Sequence, residues 1–196
     1  MKISRIIITI SITFIILLVL AYFVIEQGQQ SQSQIPVLYE VPEFHFTERN
    51  GEAVGRSIFS GRITVVDFIF TNCPGPCPIM SQRMSELYDL YSGTDKVGFV
   101  SISVDPNRDS LEALRQYADR FGVNDQRWLF LRAPIDQVID LYENGFKLGG
   151  LLPADHSTKF ILVDNQRRIR GYYDSLDDIS LSILKTNIKQ LVKQMQ

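Results

Sequence analysis

The chain holds two cysteines and two histidines, so the soft-ligand and thiol chemistry open to it is quickly bounded. Cys73 and Cys77 stand in Thr71-Asn72-Cys73-Pro74-Gly75-Pro76-Cys77-Pro78, with three residues between them. That spacing lets both sulfurs approach one point, as a disulfide or as two ligands of one soft metal ion. Both uses require thiolates. The segment lies where a strongly apolar run gives way to a helical pattern. Proline is favoured in a first helical turn, so Pro74, Pro76 and Pro78 predict a helix start close to the cysteines. Free backbone N–H groups and the helix dipole at such a start favour thiolate over thiol. The plain structural reading is a static disulfide. It would close so small a loop that it would restrict the unfolded chain very little, which places redox or metal chemistry ahead of it.

His156, in Asp155-His156-Ser157-Thr158, precedes a predicted strand and ends a loop holding Gly145, Gly149, Gly150 and Pro153. Such a loop can reach over a sheet edge, and the residues alone leave His156 open between ligand and ordinary loop residue. His45, in Phe44-His45-Phe46, alternates with apolar neighbours and is expected to face solvent. A closed zinc site built from both cysteines and both histidines lacks the usual finger spacings.

The elements that must position these residues are readable from pattern. Ile63 to Phe70 is β-branched and aromatic, as a central strand covered on both faces should be. Met80, Met84, Leu87 and Leu90 recur at helical spacing after the cysteine loop, and Gly93 supplies a stop. Val97 to Val104 is a second strand, and Asp109-Ser110 opens a helix that ends at Gly122. A strand from Trp128 to Leu131 and a helix from Ile135 to Glu143 follow. Lys159 to Val163 and Arg168 to Tyr172 form a hairpin around Asp164-Asn165-Gln166, and Asp177 to Lys193 closes as a helix. The order implies an α/β fold with a mixed central sheet flanked by helices.

A length of 196 residues suits one domain plus non-globular extras. A net charge of -2 offers no basic excess for nucleic acid, and a hydrophobic fraction of 45% is enough for a core without disulfide staples. Residues 6–25 carry no charge and are long enough to span a bilayer as a helix. Lys2 and Arg5 before them place residues 1–5 in the cytoplasm and the remainder outside it, on a bacterial periplasmic side for want of an arginine-rich presequence. Small residues for signal cleavage are lacking after the apolar stretch, which predicts an uncleaved anchor. Residues 26–40 include the polar run Gln27 to Gln34 and form a flexible linker. Residues 41–196 are the folded domain.

Four segments together resemble the Sco/SenC family of copper-binding, thioredoxin-like proteins: Phe68 to Pro78 with its cysteine pair, Ser101-Ile102-Ser103-Val104-Asp105-Pro106 with Arg108-Asp109, Asp155-His156-Ser157, and Phe160 to Asp164. The resemblance spans about residues 41 to 194 and includes the anchor. It implies one copper ion, Cu(I) or Cu(II), held by Cys73, Cys77 and His156 and delivered to the binuclear copper site of cytochrome c oxidase subunit II or to another copper protein. It also implies a thiol reductant as a further partner. Asp105 and Asp155 would stand beside the ligands. Family members commonly carry Asp-Val between the cysteines; Gly75-Pro76 here removes a carboxylate beside the metal. The alternative on the same residues is a thiol-disulfide oxidoreductase or redox sensor acting through Cys73 and Cys77.

Overall fold

In the computed structural model, which describes residues 12–23, 35–153 and 156–195, the chain divides into two units, residues 1–35 and 36–196. The first contains a helix, α1, over residues 12–23, whose apolar side chains, among them Phe14, Leu17 and Phe23, are exposed. Among the described residues no helix is long and apolar enough to cross a membrane. The expected span of residues 6–25 lies only partly within them, and the polar run Gln27 to Gln34 lies outside.

Among the described residues the second unit carries eight strands: β1 (Tyr39–Glu40), β2 (Phe46–Glu48), β3 (Ala53–Val54), β4 (Ile63–Ile69), β5 (Val97–Ser103), β6 (Trp128–Arg132), β7 (Lys159–Val163) and β8 (Arg168–Asp174). Its helices are α2 (Cys77–Leu90), α3 (Leu111–Arg120), α4 (Ile135–Asp140) and α5 (Asp178–Gln194), with a 3-10 turn at Arg56–Phe59 and a π-helical turn at Leu141–Gly145. One sheet runs in the order β1-β8-β7-β4-β5-β6-β2-β3. Strands β4, β5 and β6 are parallel, and the pairings on either side of them are antiparallel. The mixed sheet read from the sequence is thus present.

Every residue of β4 and β5 is buried, because helices cover both faces of the sheet. Alternation sends Ile63, Val65, Asp67 and Ile69 to one face and Thr64, Val66 and Phe68 to the other. On the first face α2 and α3 meet through a 2.8 Å hydrogen bond between Ser81 Oγ and Tyr117 Oη. There α2 also meets α5, through Arg83–Asp178 at 2.8 Å. On the second face Phe68 packs edge-on against Tyr142 and Phe146, with ring centroids 4.9 and 5.4 Å away. Burying a side chain of this size contributes about 1.5–3 kcal/mol, which helps hold the strand that delivers the cysteine loop.

Local signals set the helix ends. Ser110 Oγ accepts the Ala113 N–H at the start of α3, and Asp177 accepts the Ser180 N–H at the start of α5. Gly122, with φ of 67°, ends α3 in the left-handed region. Two sequence expectations are corrected here. The helix expected over Ile135 to Glu143 is α-helical only to Asp140 and then widens into the π-helical turn. Strands β1 to β3 form the outer parts of the sheet from a segment in which no strand is expected from pattern.

Candidate metal and redox centre

Three side chains distant in sequence converge at the end of β4. The sulfurs of Cys73 and Cys77 and a ring nitrogen of His156 all lie within 4.8 Å of one another. Cys77 is the first residue of α2, set there by Pro76 at the N-cap and Pro78 in the first turn. Cys73 lies in the preceding loop, where the Gly75 N–H donates to its sulfur at 3.3 Å. The two thiols are free. Cys77 is fully buried, His156 is 7% exposed and Cys73 is half-exposed, so the centre opens to solvent on the Cys73 side.

Cys77 Sγ lies 3.1 Å from His156 Nε2. The other ring nitrogen, Nδ1, is 3.3 Å from the Ser157 carbonyl oxygen. A proton on Nδ1, donated to that carbonyl, leaves the Nε2 lone pair facing the sulfur, the tautomer that a metal ligand requires. Phe70 stands edge-on to the imidazole, ring centroids 5.6 Å apart. The loop carrying the histidine is held by Tyr142, whose hydroxyl accepts the Ser157 N–H at 2.7 Å and donates to the Gly149 carbonyl at 2.9 Å.

The electrostatics of Cys77 differ from the sequence expectation. A helix start favours thiolate, yet the Cys77 thiol is pushed well above its ordinary pKa. Burial is the largest cause; the hydrogen bond from the Phe70 backbone opposes it, and proximity to Cys73 and the charge of Asp67 add to it. Without a cation in the centre, the stable form of Cys77 is the neutral thiol.

By sequence Asp109 opens a helix with Ser110, but in the structure Ser110 alone is the cap. Asp109 is buried and reaches back to the cysteine loop: Thr71 Oγ1–H donates to Oδ1 at 2.6 Å, and the Thr71 N–H lies 3.2 Å from both carboxyl oxygens. The Ser103 hydroxyl donates to Oδ2 and accepts the Asp105 N–H at 3.2 Å. One carboxyl group therefore ties the ends of β4 and β5 together just before Cys73. Asp105 itself is buried beside Arg108, whose guanidinium lies 3.6 Å away, and none of its hydrogen bonds reaches Cys73, Cys77 or His156. Asp155 lies outside the described residues. His45 is exposed, as alternation predicts, in a separate cleft of about 350 Å³ with Glu43, Asp136 and Asp140.

Beside the centre lies an open cleft of about 780 Å³, lined by Phe70, Cys73, Pro76, Arg108, Pro153 and His156. A mixed sheet that delivers a Cys-x-x-x-Cys pair to a helix start, with an imidazole brought over it, defines a thioredoxin-like protein with a joint thiol and soft-metal centre. The chain belongs to the SCO1/SenC family, whose model matches residues 33–193. It is 28% identical to the SCO1 protein homolog of Bacillus subtilis (strain 168) over 169 residues, 83% of this chain and 86% of that protein. It is 30% identical to the SCO2-like protein of Rickettsia felis over 158 residues, covering 74% and 75% of the two. Among solved structures it resembles BsSco, described as a member of the Sco family of cytochrome c oxidase assembly proteins with a disulfide switch. That match has 26% identity and a TM-score of 0.73 over 83% of this chain and 98% of the other. Yeast Sco1, solved with copper bound, shares the fold at 21% identity and a TM-score of 0.61, covering 76% and 88%.

Proposed function

We propose that this protein is a membrane-anchored copper metallochaperone. Cys73, Cys77 and His156 bind one copper ion, which is passed to the binuclear copper site of cytochrome c oxidase subunit II. The observation that carries this reading is the convergence of two sulfurs and one imidazole nitrogen within 4.8 Å. Two thiolates satisfy soft Cu(I), and an added imidazole makes the site acceptable to Cu(II). Yeast Sco1 with copper bound and the oxidase-assembly role given for BsSco support it. The half-exposed Cys73 beside an open cleft gives a partner's thiolates access to the ion.

Replacing His156 by Ala is expected to shift the visible thiolate-to-Cu(II) absorption and its paramagnetic spectrum strongly, while His45→Ala leaves both unchanged. Equal effects would reject the ligand assignment. Deleting the gene in the source organism is expected to lower cytochrome oxidase activity, with added copper restoring it in part. Unchanged activity with normal copper occupancy would rule out an essential delivery role.

A second reading rests on the asymmetry of the reduced pair. Cys73 is accessible and Cys77 is buried, the arrangement of an attacking and a resolving thiol, and BsSco is described with a disulfide switch. In this reading the protein reduces the recipient's cysteine pair. Rescue of the deletion strain by a small thiol but not by copper would favour it. Anchoring is part of the proposal: the uncharged residues 6–25 hold the domain outside the cytoplasm. A periplasm-dependent reporter fused after Gln196 should be active, and a cytoplasm-dependent one silent; the reverse pattern overturns the topology.

A further inference from the structure

The three proposed ligands are held in place by different means. Cys77 takes its position from the first turn of α2, where the Met80 N–H donates to the Pro76 carbonyl at 3.0 Å. His156 is set by the Tyr142 hydroxyl, which accepts the neighbouring Ser157 N–H at 2.7 Å. Cys73 belongs to neither a strand nor a helix. Apart from contacts of the sulfurs themselves, residues 71–75 are hydrogen-bonded to the rest of the described fold only through Thr71. In each of those bonds the partner is the Asp109 carboxyl.

Asp109 is 1% exposed, and its donors, the Thr71 N–H, the Thr71 hydroxyl and the Ser103 hydroxyl, are all neutral. The adjacent Arg108 turns to Asp105 instead, at 3.6 Å. A buried acid with no cation beside it is costly, and the sheet does not need this one. Strands β4 and β5 are already paired as far as Ile69 and Ser103, and the Val104 N–H donates to the Ile69 carbonyl at 2.8 Å. What the strands leave unheld is the chain beyond Ile69, which is where Asp109 meets Thr71. The carboxyl also has a firm base. The Arg108 and Asp109 N–H groups donate to the Asp105 carbonyl at 3.0 and 2.9 Å, and Ser110 caps α3 directly after it.

We propose that Asp109 is a positioning residue for the exposed sulfur: through Thr71 it holds Cys73 within reach of Cys77 and His156 before copper arrives. The inference rests on the copper reading above. Cys73 is two residues past Thr71, a span of at most about 7 Å of chain, so fixing Thr71 confines the Cys73 sulfur to the neighbourhood of the other two ligands. Without this anchor the loop would run free from Ile69 to Pro76, and binding an ion would have to order it first. A site that must be ordered on binding holds its ligand less tightly than one set in advance.

The test is Cu(I) affinity, measured on the full chain in detergent by competition with chromophoric chelators of graded strength. Asp109→Ala is expected to weaken binding about 10- to 100-fold, the range for groups that support a metal ligand. Asp109→Asn keeps an acceptor for Thr71 and should recover most of that loss. Thr71→Val, which removes the hydroxyl donor alone, should show a smaller loss that Thr71→Ser reverses, and it carries the test should the alanine chain fail to fold. A general loosening of the fold lowers affinity in any background, whereas a positioning role acts only through the ligand it places. In a chain already carrying Cys73→Ser, Asp109→Ala or Thr71→Val should therefore have no further effect. Wild-type affinity in the single variants, or an equal loss with and without Cys73, overturns the inference while copper binding stands. A wild-type chain that holds no copper overturns the copper reading and this inference with it.

Discussion

A chain carrying Cys77→Ser is expected to lose tight Cu(I) binding, by more than ~100-fold in affinity, and Cys73→Ser is expected to do the same. Altering a group that merely supports a metal ligand typically costs about 10- to 100-fold, so removing one of two soft ligands must exceed that. The remaining thiolate and imidazole make a poorer site for Cu(I) because hydroxyl oxygen is a hard donor. The seryl side chain nearly matches the thiol in size, and Cys77 is the first residue of α2 rather than a mid-helix position, so the fold should survive. Competition with a chromophoric Cu(I) chelator measures the affinity. Wild-type affinity in either variant would show that the sulfurs are not paired on one ion.

The second large effect concerns stability against pH and comes from Asp67. Its native pKa is raised to about 7 by burial, from an ordinary value of 3.8, so the folded chain binds a proton that the unfolded chain releases. The neutral carboxyl's full contribution is present below about pH 4 and is lost progressively as pH rises to about 7. A tenfold difference in proton affinity between the folded and unfolded chains corresponds to about 1.4 kcal/mol. Over that window the wild type should therefore lose about 4 kcal/mol relative to Asp67→Asn, and nothing further above it. The offset between the two proteins at any one pH includes the solvation of the new amide. The slope difference isolates the carboxyl. Urea unfolding at half-unit pH steps measures it, and parallel curves would show that Asp67 does not titrate between pH 4 and 7.

How much of this was legible in the sequence depended on the range of the contact. Strands β4 and β5 were readable because strands covered on both faces must be apolar throughout. The closing hairpin was readable because Asp164 marks its turn, accepting the Gln166 and Arg168 N–H groups. Strands β1 and β3 are two residues each, too short to show alternation, so that part of the sheet had no local signal. The π-helical turn at Leu141–Gly145 uses the same residue types as a continuing helix, and only packing of Tyr142 and Phe146 on Phe68 distinguishes it. At the centre, the cysteine pair was visible as a local spacing. His156, 79 residues from Cys77, could be joined to it only through the family resemblance. Asp109 and Asp67 were missed for opposite reasons. Asp109 stands at an expected helix start, where an acidic residue already has a satisfactory local role, while its real partner Thr71 is 38 residues back. Asp67 is a single acidic letter in a largely apolar strand, and a buried neutral acid leaves no pattern around it.

The gradient of exposure across the three proposed ligands, from half-open Cys73 to sealed Cys77 and His156, gives the centre a front and a back. An approaching thiolate meets Cys73 as the more accessible of the two sulfurs. Under the proposed delivery, exchange of a bound ion would be a queue: the bond to Cys73 would be the first to be shared, and Cys77 and His156 would keep their hold until the recipient had engaged. An ion handed over in that order would pass from ligand to ligand without being released to solvent. The tie from Asp109 to Thr71, just behind Cys73, fixes the root of the loop at the head of that queue.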